Sequence, residues 1–363
     1  MSGALALRAN LWKLYLIQTC RWFLLLMPVL VLFYQENGLS LQDVFIVQAF
    51  FSICLILFEV PSGYFADRLG RRQSMIIGTS CSALGFALYA CAYSLPEFLA
   101  AQFFIALGNS FISGSDSALL YDTLLQLEEK GQYQKIAGRL GSIGNFSEGI
   151  AGIAGGLLAL ISLRTPLYYQ AALMFLAIPL AWSLVEPMRK TAERGENSFA
   201  AVLKIVRYAL HGHAEVKWLI LYSSLVGTST LTIVWFVQPF LQTAGLPLAY
   251  FGIAWAALQF TVGISAIKAY RIEDLLGRKN AMITLILLSA ASYLLLSQFQ
   301  ALWAGVFLAV LYLVRGINGP VLNDYINRCI DSDIRATVLS VKALVGRLMF
   351  AALGPTVGWV SDT

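Results

Sequence analysis

Six ionisable residues stand inside long apolar runs of this chain: Arg21, Glu59, Asp116, Glu148, Arg315 and Arg347. Charge placed in hydrocarbon is costly, so such residues face a protein interior, pair with one another, or mark the path of an ion or solute. A carboxylate so placed can take up and release a proton, and a guanidinium can hold an anion. At ~1.5 Å of rise per residue, Arg21, Glu59, Asp116 and Glu148 lie ~9–15 Å from one membrane face, close enough in depth to share a layer. Arg315 and Arg347 lie ~18–20 Å from it. The first half of the chain is thus net negative at mid-depth and the second net positive. Asp116, Glu59 and Glu148 are the candidates for proton coupling. Desolvation opposes a charged carboxylate and a neighbouring arginine favours it, so a change in exposure alters the balance. The alternative is a static ion-pair network. Arg315 either attracts an anionic solute or pairs with a carboxylate.

The elements that must position these residues are membrane helices. Of 363 residues, 58% are hydrophobic and only 12% charged, about half the charge of a soluble domain. Eleven apolar spans are predicted, at 11–33, 42–65, 74–93, 97–121, 139–161, 166–185, 218–241, 248–269, 280–298, 301–326 and 336–360. Runs of this length match a hydrocarbon core of ~30 Å. They do not alternate, and backbone in lipid must satisfy its own hydrogen bonds, so helices rather than strands are expected. The five cysteines lie inside apolar segments without metal-ligand or CxxC spacing and read as small buried hydrophobes. No cleavage site follows Arg8 and Lys13, so the first helix is expected to be retained. With the N-terminus in the cytoplasm, all Lys and Arg outside the spans except Arg164 fall on the cytoplasmic side, a strong positive-inside asymmetry. The basic residues sit in loops rather than on one face, so nucleic acid is not an expected partner.

The two halves echo each other. Asp67-Arg-Leu-Gly-Arg-Arg72 recurs as Asp274-Leu-Leu-Gly-Arg-Lys279, Ile112-Ser-Gly114 as Ile317-Asn-Gly319, and Ala151–Gly156 as Gly354–Trp359. Three echoes in one order at nearly one offset imply two related bundles. The organisation expected is a bundle over 1–186, a linker over 187–217 and a second bundle over 218–363. The linker turns amphipathic over Ser198–Leu210, as in a helix lying on the membrane surface. His211 and His213 beyond it could form a metal or pH-sensing pair but read more simply as linker histidines. Gly358-xxx-Asp362 repeats the spacing Gly63-xxx-Asp67, which leads into another helix, so a twelfth helix after Thr363 is expected.

The turn Gly63-Tyr-Phe-Ala-Asp67-Arg68-Leu-Gly70-Arg71-Arg72 lies between two apolar runs. It resembles the loop between helices 2 and 3 of the major facilitator superfamily of secondary transporters, and all its glycine and polar positions are filled. The resemblance implies an all-α polytopic fold of two six-helix halves with pseudo-two-fold symmetry, working by alternating access. It implies that Gly63, Asp67, Arg68, Gly70, Arg71 and Arg72 form a conformational latch, for which Asp122 is a further partner. It places Arg21, Asp116 and Arg315 on the central cavity, and Glu59, Glu148 and Arg347 nearer the seam between halves. Gln18, Trp22, Asn109, Ser113, Trp235, Gln238 and Asn318 are uncharged cavity candidates, a mixture of aromatics and amides suited to bulky amphiphiles. Ala151–Gly156 resembles the Gly-Pro-x-x-Gly-Gly element of the exporter branch, with Ala and Gly in place of its Gly-Pro. Its Gly152, Gly155 and Gly156 equally suit close helix packing at the seam. Ser113–Asp122 resembles a helix-4 pattern of a bacterial branch.

The expected function is proton-coupled export of small amphiphilic compounds by a monomer in a bacterial inner membrane, driven by the proton gradient without a bound cofactor or metal. The alternative is import of an anionic nutrient by symport. An enzyme is disfavoured, because the chain carries no Walker A motif, His/Cys metal cluster or Gly-x-Ser-x-Gly elbow.

Overall fold

The computed structural model describes residues 2–188, 207–331 and 334–363. In chain order the helices are α1 (Ser2–Trp22), α2 (Leu30–Glu36), α3 (Leu41–Leu69), α4 (Arg71–Cys91), α5 (Leu95–Ile112), α6 (Ser115–Gln126), α7 (Tyr133–Ala159), α8 (Thr165–Trp182), α9 (Ala214–Thr243), α10 (Phe251–Ile267), α11 (Ala269–Gln298), α12 (Gly305–Arg328) and α13 (Arg335–Asp362). Among the described residues nine helical segments are long and apolar enough to cross a membrane. α7 and α8 are further long helices. The expected surface helix at 198–210 falls mostly outside the described residues. His213 begins α9, its Nδ1 accepting a hydrogen bond from Val216 N at 3.3 Å.

Two spans read as continuous in the sequence are interrupted. The first breaks after Trp22 and resumes through a short tight turn (Met27–Val29) into α2. The fourth breaks at Ser113–Gly114, where Gly114 takes φ +80°, a conformation that only a residue without Cβ adopts readily. Apolar length reports that a segment spans, but not whether it is straight.

The chain gathers into two compact units. The first comprises Met1–Lys190, Leu248–Ala256 and Val357–Thr363; the second comprises Thr191–Pro247 and Ala257–Thr356. Thus the start of α10 and the end of α13 gather with the first unit. In the first unit α3 begins with a reciprocal cap: Ser40 Oγ accepts from Asp43 N at 3.1 Å, and Asp43 Oδ2 accepts from Ser40 N at 3.0 Å. Asp362, at the end of α13, accepts from Leu41 N at 3.1 Å and Gln42 N at 2.8 Å on the same helix start. Arg164, between α7 and α8, donates to Ala90 O at 2.7 Å, Ala92 O at 2.9 Å and Asn37 Oδ1 at 2.7 Å, and lies 3.9 Å from the Tyr93 ring centre. One guanidinium thereby ties together three helix ends. A buried cluster around Leu14, Ile17, Met75, Ile112, Leu119 and Leu124 fills the opposite part of this unit. In the second unit the core is built on α9 and α12, with Val216, Ile220, Ile317, Leu322 and Tyr325 buried.

Candidate functional site

The first helix break places charge. Arg21 ends α1, and Asp116 stands in the first turn of α6, just after the second break. Arg21 Nη1 lies 3.4 Å from Asp116 Oδ2 and 3.3 Å from Gln18 Oε1, while Nη2 donates to Asn109 Oδ1 at 3.0 Å. The other carboxylate oxygen, Oδ1, accepts from Ser117 N at 2.6 Å and from Ser117 Oγ at 3.1 Å. Because α6 starts at Ser115, its unpaired N–H groups and dipole favour a carboxylate in the first turn. A straight helix would leave Asp116 without them. The arginine and aspartate side chains are 13% and 26% exposed, so solvent reaches the pair from one side.

That side is a cavity of about 230 Å³ lined by Gln18, Arg21, Asp116 and Ser117 on the polar part and by Leu14, Met75, Ile112 and Leu140 among the apolar residues. Its size falls below the ~300–1,000 Å³ usual for small-molecule sites, while its lining, mostly apolar with a few convergent polar groups, is typical of them. The break is held from behind. Gln170 Oε1, fully buried, accepts from Leu25 N at 2.9 Å. A Cβ on Gly155 would stand 1.8 Å from Leu25 O, so only glycine lets α7 approach here. A Cβ on Gly156 would similarly stand 2.7 Å from Gly252 Cα, and one on Gly152 2.8 Å from Trp255 Cδ1. Gly155 thus meets the α1 break, while Gly152 and Gly156 meet the start of α10.

Arg21 and Asp116 are together. Glu59 is on an exposed face of α3, and Glu148 is buried on α7. Each points in a direction set by rotation about its helix, which depth leaves open. Gln18 and Asn109 bind Arg21, Trp22 packs over Gly144, and Ser113 is exposed at the break.

The turn between α3 and α4 carries a second polar group. Arg71 Nε donates to Asp122 Oδ2 at 2.9 Å, and Arg71 Nη1 is 3.8 Å from Asp67 Oδ1. Arg68 donates to Tyr64 Oη at 3.0 Å, and Arg72 donates to Trp182 O at 2.7 Å. Gly63 and Asp67 are exposed. The sequence reading missed Glu186, which it assigned only to the linker boundary. Its carboxylate accepts from Arg71 N at 2.9 Å and Arg72 N at 2.7 Å, capping α4 beside Gly70. The available signal was an acid at a helix end, a common feature that names no partner.

In the second unit, Arg315 on α12 donates to Thr230 O at 3.4 Å, and Asn318 Nδ2 donates to Ser223 O at 3.2 Å. Trp235, Gln238 and Asn318 are buried, and Arg347 is half-buried on α13. Arg278 pairs with Glu215 at 2.6 Å.

Broken membrane helices that bring an ion pair to a small mixed cavity suit a solute-carrying protein. The Major Facilitator Superfamily model matches residues 11–355, and the chain belongs to that family of membrane transporters. It is 23% identical to the MFS-type transporter YxaM of Bacillus subtilis over 92% of this chain and 84% of YxaM. It is 25% identical to the class C tetracycline resistance protein of Escherichia coli, over 85% of this chain and 79% of that one. Among solved structures, the nucleoside transporter NupG superposes with a TM-score of 0.80 at 17% identity, covering 98% of this chain and 91% of NupG.

Proposed function

We propose that this secondary transporter exports small amphiphilic compounds in exchange for protons, with Asp116 as the proton-carrying group. The observation that carries the reading is the Arg21–Asp116 pair on the wall of the cavity. A proton and Arg21 compete for the same carboxylate, so protonation releases the guanidinium and loosens the junction of α1 with α6. A solute in the cavity meets the same two side chains. Proton and solute can then favour different states, and a ligand shifts an equilibrium only by its difference in affinity between them. Export is supported by the likeness to a tetracycline resistance protein. The turn Gly63–Arg72 with Asp122 acts in this reading as a latch that biases the resting state. Glu59 and Glu148 are the reserve proton sites, Gly152, Gly156 and Arg347 belong to the moving seam, and Gly155, expected there too, packs instead against Leu25 at the α1 break. The chain works as a monomer in a bacterial inner membrane with its N-terminus cytoplasmic, as the distribution of Lys and Arg supports.

The test uses purified protein in proteoliposomes holding an internal pH dye. A proton gradient is imposed and a panel of amphiphilic dyes and organic anions is added. Solute-dependent proton movement opposite to the solute supports exchange, and Asp116→Asn abolishes it. Movement of both in the same direction overturns export in favour of anion symport. Retained coupling in Asp116→Asn moves the proton to Glu59 or Glu148.

A further inference from the structure

Arginines within the membrane helices meet different surroundings in the two units. Arg21 has a carboxylate and two amide oxygens within 3.4 Å. Arg315 is half-buried ten residues into α12, and among the described residues the acceptor it meets is a single backbone carbonyl, Thr230 O, at 3.4 Å. The helices of its own unit offer it no carboxylate at that depth. Asp and Glu are absent from 216–272, 275–323 and 334–361, which hold the apolar interiors of α9 to α13. The same stretches hold Arg315, Lys342 and Arg347 deep within helices, and Lys342 Nζ meets a neutral partner, Asn323 Oδ1, at 2.6 Å. The interior of this unit is therefore cationic by composition. A guanidinium presents five N–H donors in a planar fork, and one long bond leaves most of that capacity unused.

Other polar groups along α9 and α12 are also unsatisfied among the described residues. Asn318, one turn along α12, has its Oδ1 buried without a partner. On α9 the Trp235 indole N–H and the Ser223 and Ser224 hydroxyls are buried without partners too. Buried polar groups left unpaired are costly in a static structure, and here they accompany the guanidinium on the two helices that form the core of the unit. Hydroxyl, indole and guanidinium groups all donate, and an oxyanion accepts from each.

We infer that Arg315 binds an oxyanion, the carboxylate, sulfonate or phosphate of the transported amphiphile. The neighbouring amide and hydroxyl groups take its uncharged polar atoms. The inference rests on the chain being a transporter and not on the direction or proton coupling proposed above. An anionic lipid headgroup offers the same chemistry, so the test separates the two sources.

Binding is measured at equilibrium, without a proton gradient, in phosphatidylcholine nanodiscs. The probes are matched pairs in which one member carries an oxyanion that the other lacks: rhodamine B and its ethyl ester, 1-naphthoate and its methyl ester, and adenosine monophosphate and adenosine. The expected result is that the acid of at least one pair binds at least about tenfold more tightly than the partner without the oxyanion, the size of a charge-assisted bond. Arg315→Gln removes that preference and Arg315→Lys keeps part of it, with unchanged melting temperatures reporting an intact fold. No preference in any pair overturns the inference, as does a preference that survives Arg315→Gln. An Arg315-dependent preference for phosphatidylglycerol over phosphatidylcholine, with none among the soluble acids, overturns the assignment to the solute.

Discussion

Replacing Asp116 by Asn removes the charge of the Arg21 pair and keeps one of the two oxygens, which serves either Ser117 N or Arg21 but not both. At 3.4 Å and an effective dielectric constant of ~20, the gross attraction is about 5 kcal/mol. Partial exposure of both side chains and the cost of holding them out of water reduce this to a net coupling of about 1–2 kcal/mol. The single substitution leaves Arg21 on two neutral acceptors, Asn109 and Gln18, and is expected to cost about 2 kcal/mol. At ~2.1 cal/mol/K of unfolding entropy per residue, that lowers the melting temperature by about 2–3 °C. Arg21→Gln alone should cost a similar amount. The double substitution should cost less than the sum of the two, by about 1–2 kcal/mol, because the second change removes a group already stranded by the first. Thermal denaturation of the four proteins in detergent measures the cycle, and proton-driven transport in liposomes is read in parallel. Strictly additive melting shifts would show that the two side chains do not interact, and the proton–arginine competition would fall with them.

Glu186→Gln removes the charge of the α4 cap and one of the two oxygens that accept from Arg71 N and Arg72 N; a loss of about 1–2 kcal/mol is expected, its charge part shrinking with added salt, as read by melting in low and high sodium chloride. Arg164→Gln breaks contacts to Ala90, Ala92, Asn37 and the Tyr93 ring at once, and should cost about 2–4 kcal/mol, seen as a lower melting temperature with Arg164→Lys intermediate. Gly156→Ala forces a methyl against Gly252 and should cost about 1–3 kcal/mol. Gly138→Ala, with nothing within 4 Å of the new methyl, should be neutral or slightly stabilising by helix propensity, so equal melting of the two variants would refute the close approach.

The class of protein was legible in the chain itself. Hydrocarbon admits only backbone that bonds to itself, so length and apolarity were enough to predict membrane helices, and the filled turn Gly63–Arg72 pointed to the transporter family. Depth was also readable, because helical rise is constant: Arg21 and Asp116 fall at comparable depths when counted along separate spans. Rotation and lateral neighbours were not readable. Arg21, Glu59, Asp116 and Glu148 look equivalent by depth, yet Arg21 meets Asp116 while Glu59 lies exposed on α3. The break at Ser113–Gly114 turns Asp116 from a mid-helix acid into one at a helix start, and apolar count does not register it. Glu186 reaches Arg71 N across 115 positions, and Arg164 gathers groups 72, 74 and 127 positions away. A charge along the chain is a local property, whereas its partner depends on which helices pack side by side, and only the tertiary structure decides that.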